Sequence, residues 1–157
     1  MRFLLLGCLL SALPALAQAQ GELLYQARCA VCHGIQGQGT AGLYPPLFGS
    51  LGRLLALEEA RPYLTWVVVY GLSGPIRVGG VVYNGIMPAH PDLSSEEEAA
   101  LLNYLLTLNI SLLPKGFPHF TSEEVKRYRA VQKAPPELKK LREELLKKLS
   151  KKGLPLP

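Results

Sequence analysis

The chain has 157 residues, close to one average domain, and a formal net charge of +5. That charge is divided unevenly: residues 20–114 contain four Arg, no Lys and seven acids, whereas residues 115–157 contain twelve bases and five acids, so the basic balance belongs to the tail. Of the three cysteines, Cys8 stands apart near the N-terminus, and no second Cys or His pair has the spacing that a four-ligand structural zinc site requires.

In chain order, Met1 to Ala19 reads as a secretion signal. Arg2 precedes an apolar run from Phe3 to Leu10, and Ala15-Leu16-Ala17 or Ala17-Gln18-Ala19 offers a cleavage site. The run is too short for a membrane-spanning helix, so the mature chain is expected to be exported and soluble. A competing reading takes Leu5-Leu6-Gly7-Cys8 as a lipoprotein box. From Gly21 the spacing of Leu23, Leu24 and Ala27 predicts a short helix. It leads into Cys29-Ala30-Val31-Cys32-His33, a C-x-x-C-H that reads as the covalent attachment site of one haem c. Two thiols three residues apart on a helical turn can add to the two haem vinyl groups, and His33 then lies under the iron as its proximal ligand. A thioredoxin-like pair would need a βαβ context, and no strong strand precedes Cys29. Attachment of c-type haem takes place outside the bacterial cytoplasmic membrane, which agrees with export and argues against nucleic acid as a partner.

Gly34, Gly37, Gly39 and Gly42 then predict a loop ending in Tyr44-Pro45-Pro46-Leu47. No strand leads in and no Lys-Ser/Thr follows, which disfavours a phosphate cradle, and the glycines are instead expected to let backbone approach the porphyrin. Ala60 to Tyr70, with Pro62 in its first turn, reads as a helix despite its β-branched residues. Ile76-Arg77-Val78 and Val81-Val82-Tyr83 flank Gly79-Gly80 as a hairpin. Met87 is the one methionine left after signal removal and stands in a turn-rich stretch between Gly85 and Pro88. It reads as the sixth iron ligand, with His90 as rival and His119 as a remote third. Leu93 to Leu108 is the clearest helix. Ser94 or Ser95 caps it, Glu97 or Glu98 closes a capping box, Leu93 is a candidate staple, and the acidic run is expected to be solvated. In the tail, Thr121-x-x-Glu124 opens a short helix to about Val131. Pro135-Pro136 opens another whose Leu138, Leu141, Leu145 and Leu149 form a stripe ending at Gly153. Such a stripe could lie on anionic lipid, dock a partner, or clamp back onto the domain.

Gly21, Tyr25, Cys29, Cys32, His33, the glycine-rich loop, Pro-Pro-Leu and Tyr83-Asn84-Gly85-Ile86-Met87-Pro88 together resemble the class I monohaem cytochromes c over residues 21 to about 109. The stretch from Tyr63 through the Lys-rich tail, with Gly-Phe-Pro-His-Phe-Thr at 116–121, is also similar to the periplasmic cytochromes c of thermophilic bacteria that donate electrons to a ba-type haem-copper oxidase. The resemblance implies an all-α class I cytochrome c fold with a small β-hairpin and a C-terminal helical extension. Its implied division is signal peptide 1–19, haem domain 20–113 and basic extension 114–157. It implies further that the carbonyl of Pro45, or of Pro46, accepts the Nδ1 hydrogen of His33, that Gly21 and Tyr25 cross Leu101 and Tyr104, and that the tail clamps the domain. Tyr44, Pro45, Trp66 and Tyr83 are the expected haem pocket, with Arg53 and Arg77 as further candidates for the propionates.

The function so implied is outer-sphere transfer of single electrons by a monomeric carrier rather than an enzyme. A terminal oxidase is the expected acceptor, a quinol–cytochrome c reductase or a dehydrogenase the donor, and contacts with these membrane proteins are transient. The alternatives are a haem c relay subunit of a periplasmic dehydrogenase complex and an open-site, gas-binding or peroxidatic haem protein, against which Met87 argues.

Overall fold

The computed structural model describes residues 12–157. The expected signal sequence therefore lies largely outside the described residues, and its last part continues into α1, Ala12–Arg28. After α1 come α2 (Ala30–His33) and α3 (Ser50–Leu54), then α4 (Ala60–Tyr70) and the strands β1 (Leu72–Val78) and β2 (Val81–Met87). The chain continues through α5 (Ser95–Leu108), a 3-10 turn (Ile110–Leu112), α6 (Ser122–Arg129) and α7 (Pro135–Lys151). The architecture is mostly helical, with one antiparallel two-stranded sheet.

Helix α1 crosses α5 where Gly21 meets the backbone of Ala100, and any side chain at Gly21 would overlap that carbonyl. Close approach of two backbones is what glycine permits here. One turn on, the rings of Tyr25 and Tyr104 pack with centroids 5.2 Å apart, inside the range that favours tilted aromatic pairs. Around this crossing the core gathers Leu54, Leu57, Leu101 and Leu102, all buried. Ser94 caps α5: its side chain accepts from Glu97 N–H, and the Glu97 carboxylate accepts Ser94 N–H at 2.8 Å. Glu98 departs from the expected solvated helix start. Its side chain is 0 % exposed and paired with Arg129, because α6 folds down over the first turn of α5.

The strands are longer than the sequence suggests. Gly74 faces Gly85 and Pro75 faces Asn84 in the register, and these residues are poor strand formers. They are tolerated because β1 also packs against α7. Met87 in consequence ends a strand, opposite Leu72, instead of standing in a free loop.

The tail packs as a clamp. Val125, Leu138, Leu145 and Leu149 are buried in the same hydrophobic cluster as Tyr25 and Leu101, so the extension and the rest of the chain share one core. Thr121 caps α6 by accepting Glu124 N–H at 3.1 Å, and prolines start α7, where no amide donor is missed. Helix α4 is the platform for this docking. Arg61 donates to both oxygens of Glu124 at 2.7 Å and to the carbonyls of Pro118 and His119, with its guanidinium 3.9 Å from the Phe120 ring centroid. A buried guanidinium needs a paired, fully bonded environment of this kind.

Candidate functional site

The motif turn is built by local hydrogen bonds. Cys29 N–H donates to Tyr25 O at 2.8 Å and His33 N–H to Cys29 O at 2.9 Å, so the two thiols and the imidazole are displayed on consecutive helical turns. Both cysteines are unpaired and half-buried, and burial pushes the Cys29 thiol up to about 11. His33 is buried, and its Nδ1–H donates to Pro45 O at 2.8 Å. A carbonyl can only accept, so this bond fixes the tautomer and leaves the Nε2 lone pair free. Burial also lowers the pKa of His33, opposed by the Pro45 contact, which keeps the ring in the neutral form that binds metal.

The glycine loop explains how Pro45 reaches His33. Gly39 N–H donates to His33 O at 2.7 Å, and Gly37 O accepts from Leu47 and Phe48. Gly39 has φ 66°, and a side chain there would strike the backbone of Tyr44 to Pro46. The tight approach at Gly39 is thus to the Tyr44–Pro46 segment behind the histidine, whereas the sequence reading expects the glycines to approach the porphyrin.

These residues open on a cleft that spans about 830 Å³ with the open solvent before it included. Cys29, Cys32, His33, Tyr44 and Pro45 line one part of it; Leu72, Ile76, Tyr83, Ile86 and Met87 of the hairpin line another. Five of the expected pocket residues and ligands on the motif side therefore meet Tyr83 and Met87 in one place. Trp66 does not join them. Its indole N–H donates to Tyr128 O at 2.8 Å and its ring packs edge-on to Tyr128, so it belongs to the seam with the extension. Arg53 and Arg77 are also engaged away from the cleft, with Leu156 O and Gly80 O respectively. His119 is exposed, while His90 lines the cleft beside Pro88. Arg28 at the rim escapes the sequence reading, although it directly precedes Cys29; it pairs with Asp92 at 2.7 Å.

The donor set fits a covalently held haem. Two thiols at C-x-x-C spacing and an imidazole with a free Nε2 face an apolar cleft with a thioether in its lining, and the described residues hold no cluster of three or more His, Cys, Asp or Glu suited to a metal ion. Among the described residues no helix is long and apolar enough to cross a membrane.

Comparison with known proteins agrees with this chemistry. The family described as cytochrome c oxidase, cbb3-type, subunit III matches residues 16–105. One cytochrome c-552 of Thermus thermophilus is 47% identical over 139 residues, covering 88% of this chain and 90% of the relative. A second Thermus thermophilus cytochrome c-552 is 45% identical over 122 residues, 77% of this chain and 92% of its own. A cytochrome c-553-like protein of Synechocystis is 35% identical over 89 residues, 57% of this chain and 67% of its own. The chain belongs to the cytochrome c family, in its class I branch. It carries covalently bound haem c and is an electron-transfer cytochrome with redox partners.

Proposed function

We propose that this chain is an exported, periplasmic carrier, freed of its leader at about residue 19, that passes single electrons to a terminal haem-copper oxidase of ba type. A quinol–cytochrome c reductase or a dehydrogenase loads it, and the monomer catalyses no reaction of its own. The observation that carries the reading is the convergence of Cys29, Cys32, His33 and Met87 on one apolar cleft. Haem supplies the one-electron iron couple. Cys29 and Cys32 would hold it through thioethers, and His33 and Met87 would be the residues that bind its iron. Pro45 orients His33, Tyr44 and Tyr83 line the pocket, and the hairpin would shield the propionate side. A thioether and an imidazole as the ligand pair would set a higher potential than two histidines, and the apolar walls would disfavour the extra charge of the ferric state.

The test is the absorption spectrum of the holoprotein beside Met87→Ala. A weak far-red iron–sulfur band in the oxidised wild type, lost in the variant, with no carbon monoxide binding by the reduced wild type, supports a closed carrier. Ready carbon monoxide binding by the wild type would overturn it.

Docking follows from the surface around the cleft. Val31 and Ile86, 85% and 83% exposed, line its mouth, and residues 20–114 contain no lysine. Partner encounter should therefore be mainly apolar, with an electron-transfer rate that changes little with ionic strength; a steep fall at high salt would refute this.

A further inference from the structure

The segment after Met87 is held at separate points along its length. His90 N–H donates to Val68 O at 2.9 Å, anchoring it to α4. Asp92 pairs with Arg28, next to the haem-binding motif. Arg129, at the end of α6, donates from Nη1 to Leu93 O at 2.6 Å and from Nη2 to Pro91 O at 3.1 Å. Arg129 in turn is held by Glu98, whose Oε2 accepts from Nη1 at 3.0 Å, and by Tyr70, whose hydroxyl donates to the Arg129 carbonyl. Glu98 Oε1 is buried with no hydrogen-bond partner. A carboxylate with one satisfied oxygen in an apolar setting is a poor source of stability, and its one polar contact is the guanidinium that grips residues 91 and 93.

We infer that Glu98, acting through Arg129, is a positioning residue for the Met87 segment, and that its charge sets how firmly that segment closes over the haem iron. This rests on the reading of Met87 as an iron ligand. Burial pushes the Glu98 carboxyl up to about 7, against the pull of Arg129, so its charge changes near neutral pH. Arg129 is the charged group that acts on Glu98; other charged groups on the surrounding elements are engaged elsewhere, Asp92 with Arg28, Glu97 with Ser94 N–H and Arg61 with Glu124, while His90 lines the cleft. The sign follows from linkage. A carboxyl raised above its unfolded value contributes stability below the unfolded pKa and loses it as pH rises through the folded pKa. Ionised Glu98 therefore lowers global stability while tightening the local grip. A residue serving only the fold would move both in the same direction.

The test uses oxidised holoprotein of the wild type, Glu98→Gln, Glu98→Leu and, as a control for general destabilisation, Leu149→Ala. Three quantities are read between about pH 5.5 and 8.5: the melting midpoint, amide exchange across residues 88–94, and the rate at which HCN displaces the sixth ligand. In the wild type, HCN entry and exchange should speed up about tenfold as pH falls through about 7. Glu98→Gln should melt higher than wild type at about pH 8, yet open about tenfold faster there, with the pH dependence gone. Glu98→Leu should also lose the pH dependence if it folds. An unchanged HCN profile in both Glu98 variants, or an equal acceleration in Leu149→Ala, overturns the inference. Absence of the far-red band from the wild type would instead refute Met87 ligation itself, and the two failures are thus distinguishable.

Discussion

The two sides of the cleft are built in different ways. The motif side is local: Tyr25 O receives Cys29, Gly39 returns to His33 O, and Pro45 O takes the His33 ring, all within about one loop of chain. The Met87 side is assembled at long range. Its hairpin packs on α7, the Arg142 guanidinium donates to Arg77 O at 3.2 Å, and Arg129 grips Pro91 and Leu93. One side can therefore form with the chain around it, whereas the other needs the extension in place. On the proposed ligation, attachment of the cofactor and closure of its sixth position would be separable parts of the fold.

Breaking the long-range side should have the larger effect. Arg61→Ala leaves Glu124 half-buried without its partner and strips the carbonyls of Pro118 and His119; loss of one member of a buried pair costs about 3–5 kcal/mol. On heating, the far-red band of this variant should vanish before its main haem absorbance shifts, and simultaneous loss would show that the two sides are not separable. Gly39→Ala strikes the local side. With φ positive and the Tyr44–Pro46 backbone in the way, it should cost about 1–3 kcal/mol. It should disturb the His33–Pro45 hydrogen bond, read on the proposed His33 ligation as a changed iron–imidazole vibration, while exchange across residues 88–94 stays at the wild-type rate.

The same contrast explains what could be read from the amino-acid order. C-x-x-C-H, the capping box at Ser94 and Glu97, the Gly79-Gly80 turn and the leucine stripe of α7 are each set by neighbours in sequence, where spacing is the geometry. Partner choice across the chain is not written in spacing. Arg61 looks like an ordinary surface cation until Glu124 and the 118–119 carbonyls are brought to it. Glu98 is one of three consecutive acids and is set apart from the other two because α6 covers it. Asn109 is similar: fully buried, it accepts from the amides of Gly49 and Gly52 at 2.8 and 3.1 Å and donates to Leu105 O at 3.0 Å. That ties α3 to the end of α5 through residues 57 or more positions apart. Trp66 is misplaced by sequence for the same reason, since an aromatic flanking a haem protein's cleft and one lying under an extension have the same local sequence.

That placement of Trp66 has an optical consequence. It is the single tryptophan of the whole chain, with its ring against Tyr128 and the Lys133 ammonium 5.4 Å from its centroid. Whatever indole fluorescence the protein emits therefore originates at the seam between α4 and the extension, and its wavelength gauges whether the clamp is seated, independently of the colour of the haem.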